Sequence, residues 1–316
     1  MPDPGSSSDP TPAPSPQGSS SDPTPADSPQ GSLSEDGAAD RDETRHPRIR
    51  LVATDLDGTL LDPSGHVTAR TRAALDAARA AGIVVVPVTA RQPIGLRAIA
   101  AEAGFDGWAL CGNGAYGIQL TTHEQLFASE IAVAVQERIA RELGARIPGL
   151  LFASVREAGE VFVAQEGYAE VATLSDHKRD PASMGSAPLS AVVGTPSLKL
   201  VIRHPSLTPR EIFATLRGLD QTGFTATLSG APFVEVMAEG VTKATGLARL
   251  CAPLEIDRTS VVAFGDALND VEMLRWAGLG VAMANAVPEA LAAADEITAS
   301  NADDGVAVTL ERLLGL

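Results

Sequence analysis

The stretch LVATDLDGT, residues 51–59, joins a short apolar run to a polar turn. Its first four residues are apolar or β-branched, and they lead directly into two acids, a glycine and a threonine. A short apolar run that ends in a glycine-containing turn is typical of a buried strand, so residues 51–54 are predicted to form one. A second β-branched run, residues 83–88, predicts another buried strand.

Strand and helix signals alternate on both sides of the chain's centre. After the first strand, the pattern predicts a helix over 68–81, a strand over 83–88, a helix over 94–103 and a strand over 108–111. The C-terminal part repeats this alternation, with helices over 241–251, 268–276, 288–294 and 306–313, and strands over 260–264, 279–282 and 296–298. Such alternation predicts an α/β fold with a doubly wound parallel sheet.

The remaining segments differ in character from this core. Residues 128–233 mix strand and helix patterns and predict an inserted α+β domain, which divides the α/β core into residues 48–127 and 234–316. Residues 1–47 are rich in Pro, Ser and Asp, and residues 5–17 are repeated almost unchanged as 18–30. With few apolar side chains to bury, this tail is predicted to be disordered.

Composition excludes several classes of function. The net charge of −16 disfavours nucleic acid and anionic membranes as partners. The longest apolar run is far shorter than the roughly 20 residues that span a bilayer, and the N-terminus lacks the pattern of a secretory signal. Two cysteines exclude a disulfide scaffold, so a reduced cytoplasmic location is favoured. Without clustered His, the two cysteines also predict no zinc site.

The acids that follow the first strand are the first candidates for chemistry. Asp55 and Asp57 are two residues apart, so in extended backbone they point to the same side, at the sheet edge where α/β proteins bind ligands. Two crowded carboxylates repel each other unless a cation or a shared proton lies between them. The alternative is a simple turn, which Asp-Gly-Thr also favours.

A second acidic group follows a second strand. Asp266, Asn269 and Asp270 lie in the stretch GDALND after the apolar strand that ends at Phe264. Asp266 is therefore predicted to lie on the same sheet edge as Asp55. Oxygen ligands without His or thiolate suit Mg²⁺, although an N-cap role for Asp266 is the alternative.

Two further positions fit a phosphate. Thr89 ends the second strand, where its hydroxyl and the Ala90 N–H can bind a phosphate oxygen or simply end the strand. Lys243 lies in the first turn of a predicted helix, where a cation is disfavoured. A surface position is the ordinary interpretation of one lysine, but this placement is favourable if it faces carboxylates and a phosphate.

Taken in order, these motifs resemble the haloacid dehalogenase superfamily, and most closely its Cof-type phosphatases with a type IIB cap. The resemblance covers about residues 48–316 and includes Asn113 in CGNGA and the stretch GLGVAMANA, in which Ala284 replaces the usual glycine. It implies an Mg²⁺-dependent phosphatase of small phosphorylated metabolites such as sugar phosphates, acting through an aspartyl phosphate. No protein partner is implied.

The resemblance also implies a role for each site residue. Asp55 is the expected nucleophile and Asp57 the expected acid and base. The phosphate would be bound by Thr89, Ala90, Lys243 and Asn269. Asp55, Asp57 through its backbone carbonyl, and Asp266 would hold the metal, and Asp270 would support Lys243 or the metal shell.

Other interpretations stay open at this point. A phosphotransferase or phosphomutase would use the same residues and exclude water. A non-enzymatic phospho-aspartate signalling module is a further alternative, although such receivers are shorter and place their paired acids differently. His177-Lys178-Arg179 in the insertion is interpreted as a solvated loop, with a substrate clamp as the alternative.

Overall fold

A five-stranded parallel sheet lies at the centre of the computed structural model, which describes residues 49–316. Its strand order is β13-β12-β11-β1-β2. The strands are β1 (Leu51–Thr54), β2 (Val84–Pro87), β11 (Val261–Gly265), β12 (Leu279–Ala282) and β13 (Glu296–Ile297). The two central strands, β1 and β11, are buried along their whole length, as expected for a sheet covered on both faces. The predicted α/β fold class is confirmed.

Within residues 49–316, six helices belong to this parallel part. They are α1 (Ala69–Ala80), α2 (Pro93–Ala103), α8 (Lys243–Cys251), α9 (Val271–Trp276), α10 (Pro288–Leu291) and α11 (Gly305–Leu314). The α1 and α11 helices pack together over one face of the sheet, where Leu75 and Leu310 are buried. Leu247 of α8 and Met273 of α9 belong to the apolar cluster on the other face. Both faces of the strands therefore require apolar residues.

The third predicted strand does not extend the parallel sheet. β3 (Trp108–Cys111) forms a separate antiparallel sheet with β4 (Tyr116–Gln119) and β5 (Gln125–Ala128), and it meets β2 at a single bridge between Val88 and Leu110. The Val88 N–H donates to the Thr54 carbonyl of β1, whereas the Thr89 N–H points the other way and donates to the Leu110 carbonyl of β3. Because alternate residues point to the same side, the preceding N–H on the side of β3 would belong to position 87. Pro87 has no N–H, and the ladder between β2 and β3 stops there.

A second five-stranded sheet, antiparallel in its pairings, carries the inserted segment. Its order is β7-β6-β8-β10-β9. The strands are β6 (Leu151–Arg156), β7 (Val161–Ala164), β8 (Lys199–Arg203), β9 (Phe224–Thr227) and β10 (Val234–Ala238). Its helices are α3 (Val133–Arg146), α4 (Tyr168–Val171), α5 (Leu174–His177), α6 (Leu189–Val193) and α7 (Pro209–Arg217). Residues of α3, α6 and α7 share a separate apolar cluster with this sheet.

The C-terminal end of the insertion differs from the predicted boundary. The core was expected to resume at residue 234, but β10 pairs with β8 and β9, so it belongs to the antiparallel sheet. The reason is that Val234 and Val236 bury their side chains in the cluster of that sheet. The parallel part therefore resumes after Ala238. The predicted disordered tail, residues 1–47, lies outside the described residues.

Among residues 49–316, no helix is long and apolar enough to cross a membrane.

Candidate functional site

The carboxyl ends of β1 and β11 bring the predicted acids together. Asp55 follows β1 and donates its N–H to the Phe264 carbonyl at 3.1 Å, while Asp266 follows β11. Asp55, Asp266 and Asp270 each offer a carboxylate oxygen, and these atoms lie within 4.8 Å of one another. The parallel pairing of β1 with β11 thus places three carboxylates at one point on the sheet edge.

The turn after β1 is fitted closely against Asp266. Gly58 has a φ of +82°, and a Cβ at this position would lie 2.4 Å from Asp266 Oδ2. The next residue, Thr59, is buried and donates its hydroxyl to Asp266 Oδ1 at 2.6 Å. Glycine is required here both for its left-handed backbone and for the close approach of the carboxylate.

Lys243 lies behind these carboxylates. Its side chain is fully buried, and Nζ lies 2.7 Å from Asp55 Oδ1 and 2.6 Å from Asp270 Oδ1. The other Asp270 oxygen accepts the N–H groups of Asp266 and Ala267 at 3.0 and 2.9 Å. Burial lowers the pKa of Lys243, but the charges of Asp270 and Asp55 outweigh burial and leave it raised. The helix-start lysine that was anomalous in the sequence is explained by these two partners.

The acids themselves are shifted toward the protonated form. Burial raises the pKa of Asp55 well above its ordinary value; Lys243 opposes this rise, and Asp270 and Asp266 add to it. Burial, with the charge of Asp270, raises the pKa of Asp266 to about 6. Crowded, buried carboxylates of this kind are stabilised by a nearby cation.

The donor set fits a hard divalent cation such as Mg²⁺. Among the described residues, Oδ2 of Asp55 and Oδ2 of Asp266 accept no hydrogen bond, whereas both oxygens of Asp270 accept one or more. Carboxylate oxygens are the ligands that Mg²⁺ prefers. Asp55 and Asp266 are therefore available to an ion, while Asp270 supports Lys243 and the backbone of the loop.

Asp57 faces a different partner. Arg91 donates to both of its carboxylate oxygens, with Nη2 to Oδ1 at 2.5 Å and Nε to Oδ2 at 2.7 Å. Burial raises the pKa of Asp57, but the hydrogen bonds and charge of Arg91, with a contribution from Lys178, lower it overall. The Asp57 side chain is half exposed. Sequence reasoning missed Arg91, because it lies outside the first turn of α2 and its partner Asp57 is 34 residues away in the chain.

The other predicted site residues line one cavity with these acids. The cavity has a volume of about 550 Å³ and is lined by Asp55, Asp57, Thr89, Ala90, Asp266 and Asn269. Thr89 is buried, and its Oγ1 accepts the Arg91 N–H at 3.1 Å. Asn269 donates to Asn113 Oδ1 at 2.9 Å, while its own buried Oδ1 has no partner among the described residues.

Comparison with known proteins identifies the family. The profile of the haloacid dehalogenase-like hydrolases matches residues 52–310. The chain belongs to this family. A putative phosphatase of Bacillus subtilis, YxeH, is 29% identical over 277 residues, which cover 84% of this chain and 98% of that protein. The pyridoxal phosphate phosphatase YbhA of Escherichia coli is 29% identical over 265 residues, covering 82% and 96%.

Solved structures share the fold. The phosphatase BT1666 from Bacteroides thetaiotaomicron has a TM-score of 0.72 at 22% identity, covering 88% of this chain and 99% of that one. The subclass IIB sugar phosphatase BT4131 also has a TM-score of 0.72 at 22% identity, covering 84% and 99%. The predicted membership of the haloacid dehalogenase superfamily is confirmed.

The antiparallel sheet of this haloacid dehalogenase-like hydrolase supplies the other wall of the cavity. Lys199 of β8 donates to Glu235 Oε1 of β10 at 2.5 Å and to the Ala90 carbonyl at 2.8 Å. His177, Lys178 and Arg179 line the same cavity. The first interpretation of this tripeptide, a solvated loop, is wrong for His177, because this residue ends α5 and its ring stacks on Phe233 at a centroid distance of 4.7 Å. The tripeptide therefore lines the same cavity as Asp55, Asp57 and Asp266.

Proposed function

We propose that this hydrolase removes phosphate from small phosphorylated metabolites, with Asp55 as nucleophile and Asp57 as acid and base. The observation that carries the proposal is the position of Asp55. Its carboxylate lies in the wall of a cavity of about 550 Å³. One carboxylate oxygen pairs with Lys243 Nζ, and the other accepts no hydrogen bond from the described residues. Relatives along most of the chain are named as phosphatases, which supports the same chemistry.

The reaction takes two steps. A carboxylate oxygen of Asp55 bonds to phosphorus while the bond from phosphorus to the ester oxygen breaks, and Asp57 gives its proton to the departing alcohol. Water then attacks phosphorus and passes a proton to Asp57. The bond from phosphorus to Asp55 breaks, inorganic phosphate is released, and both acids return to their starting states.

The pairing with Arg91 bears on the role of Asp57. A carboxylate held ionised by a guanidinium can accept a proton from water, as the second step requires. The first step requires Asp57 to carry a proton, so this ion pair has to loosen when a phosphate dianion enters the cavity. Both Arg91 and Asp57 line that cavity, where an entering anion competes for the guanidinium.

Asp55 and Asp266, with the backbone carbonyl of Asp57, would hold Mg²⁺. The ion would neutralise the repulsion between the acids and an incoming phosphate dianion. Thr89, the Ala90 N–H, Lys243 and Asn269 would bind phosphate oxygens, and Asp270 would position Lys243. Phosphoryl transfer depends mainly on such positioning and charge neutralisation.

Two variants separate the roles of the first-strand acids. Asp55→Asn removes the nucleophile, so no phosphoenzyme should form. Asp57→Asn keeps the nucleophile but removes the base for water. With p-nitrophenyl phosphate, whose leaving group needs little protonation, the aspartyl phosphate should accumulate because its hydrolysis slows by roughly 10²–10⁴-fold. Rapid quenching and intact-protein mass spectrometry would detect the added phosphoryl group.

Asp106→Asn is the matched control, since it makes the same chemical change outside the cavity. It should turn over like the unmodified protein and accumulate no adduct. An adduct in Asp55→Asn, or one mapped by peptide sequencing to another residue, would contradict the assignment of the nucleophile.

A further inference from the structure

Most charged groups around the cavity have an opposite partner. Asp57 pairs with Arg91, and Glu235 with Lys199. Asp176 pairs with Arg203, whose Nη1 lies 2.5 Å from Oδ2. Asp55 is paired with Lys243 behind the cavity wall. The ionic groups left over are therefore informative about what the cavity binds.

Two cations on the inserted domain are left over. Among residues 49–316, no carboxylate lies within ion-pair distance of Lys178 or Arg179, and both line the cavity. Arg179 uses one N–H on the Gly159 carbonyl at 3.2 Å, and its guanidinium lies 5.6 Å from the ring centroid of Phe162. Most of its donors stay available. In a chain with a net charge of −16, two adjacent cations without carboxylate partners at a cavity are unexpected.

The segment that carries these cations is firmly held. His177 stacks on Phe233 with a centroid distance of 4.7 Å and an interplanar angle of 4°, and its Nε2 lies 2.9 Å from the Tyr168 hydroxyl. The residue before it, Asp176, is fixed by Arg203. Lys178 then adopts φ +53°, a left-handed conformation that is uncommon for lysine. A left-handed conformation of this kind persists where the surrounding contacts fix it. Here the contacts of Asp176 and His177 fix it, and they hold Lys178 at the wall of the cavity.

We propose that Lys178 and Arg179 bind a second anionic group, a carboxylate or a second phosphate, on the leaving group of the substrate. This inference rests on the proposed phosphatase function and narrows its substrate class. The phosphate being cleaved would lie at Asp55 on the core wall, and the second anion would lie against the inserted domain. Phe162 and Phe233 give that wall an apolar surface suited to a flat or hydrocarbon portion of the same molecule.

A simpler role for the two cations is general attraction of any phosphate ester into an acidic protein. The two roles differ in one measurable respect. General attraction raises kcat/KM for every phosphate monoester, and an extra negative charge on the ester strengthens it only by a small amount that added salt screens. A specific subsite favours only those esters that carry a second negative charge, because its hydrogen bonds to that charge form with no other substrate.

The test compares two nearly isosteric substrates, 4-carboxyphenyl phosphate and 4-carbamoylphenyl phosphate, which differ in the charge of the para substituent. The preference is the ratio of their kcat/KM values, and its change between variants cancels their different intrinsic reactivities. In K178Q/R179Q the preference for the carboxylate should fall at least tenfold, since hydrogen bonds to charged groups are each worth roughly a factor of ten or more. K178R should retain it.

The matched control is R141Q/R210Q, which removes two exposed cations whose partners are Glu142 and Glu289. It changes the net charge equally but leaves the cavity intact, so the preference should stay within about twofold of the unmodified protein. If K178Q/R179Q lowers kcat/KM for both esters by the same factor, or changes neither, the second-anion subsite is refuted.

Failure of the proposed function can be distinguished from failure of this inference. If the unmodified protein hydrolyses neither ester, calorimetry with 4-carboxybenzyl phosphonate and 4-carbamoylbenzyl phosphonate in Mg²⁺ still measures the subsite without turnover. The carboxylate should bind at least tenfold more tightly than the carbamoyl compound, and K178Q/R179Q should abolish this difference. Equal binding of the two phosphonates by the unmodified protein would overturn the inference.

Discussion

Lys243→Met removes the cation that Asp55 and Asp270 share. The methionine has a similar length and fills most of the same volume, so the chief effect is electrostatic. Both ion pairs are buried, with side-chain exposures of 0% for Lys243, 8% for Asp55 and 0% for Asp270, and solvent screens neither. Removing one partner of a buried ion pair typically costs about 3–5 kcal/mol of unfolding free energy.

Protonation limits this cost and makes it depend on pH. The folded variant can avoid one uncompensated charge by protonating Asp55, whose pKa is already raised by burial. Protonating an aspartate at pH 7, when its unfolded pKa is about 3.9, costs about 4 kcal/mol. At pH 5 the same protonation costs roughly 1.5 kcal/mol. An acid with a raised folded pKa destabilises the fold above its unfolded pKa, so the variant should recover stability as the pH falls.

Urea unfolding of both proteins at pH 7 and pH 5 measures these differences. We expect Lys243→Met to lose about 4 kcal/mol at pH 7 and clearly less at pH 5. Adding Asp270→Asn should restore part of the loss, because it removes one charge and keeps an oxygen for the Asp266 and Ala267 amides. Arg141→Met, an exposed control, should change stability by less than about 0.5 kcal/mol. A loss below 1 kcal/mol at pH 7, or an equal loss at both pH values, would refute this reasoning.

Two other predictions test the sheet edge. Gly58→Ala should lower kcat at least tenfold, because its Cβ would meet Asp266 Oδ2 at 2.4 Å; the control Gly65→Ala, with a φ of +85° and no heavy atom within 4 Å, should lose only about 1 kcal/mol of stability and keep its activity. Mg²⁺ affinity should fall at least tenfold between pH 7.5 and pH 5, because protons compete for Asp266, whose pKa burial raises to about 6, and for Asp55, whose pKa is also raised. Calorimetric titration with Mg²⁺ alone measures this change, and a pH-independent affinity would exclude Asp266 as a ligand.

The site residues on the core wall could be predicted from the sequence, because they lie at the ends of strands and strand ends can be predicted. Asp55 and Asp266 follow apolar runs, and parallel strands bring their carboxyl ends to one edge whatever lies between them. Lys243 was recognisable because a cation at a helix start needs a compensating partner. These inferences required only local patterns and one rule of topology.

Other features depended on contacts that no local pattern specifies. The pairing of Arg91 with Asp57 arises from two loops that are distant in sequence, and the turn signal around Asp57 does not reveal it. The sequence of β10 would suit a short strand in either sheet. Its pairing with β8 and β9 assigns it to the antiparallel sheet. Pro87 is a local signal that hydrogen bonding on one side of β2 stops, because proline lacks an N–H. Which strand is affected depends on the edge that β3 approaches, and the sequence does not specify that edge.

The contact between Lys199 and Ala90 links the two walls of the cavity. Its ammonium is held by Glu235 of the antiparallel sheet and donates to the carbonyl of the residue whose N–H is proposed to bind phosphate. One buried ion pair therefore connects the proposed phosphate site with the opposite wall of the cavity. Substitutions at Lys178 and Arg179 leave this link untouched, which is why they can test recognition of the leaving group separately from phosphate binding.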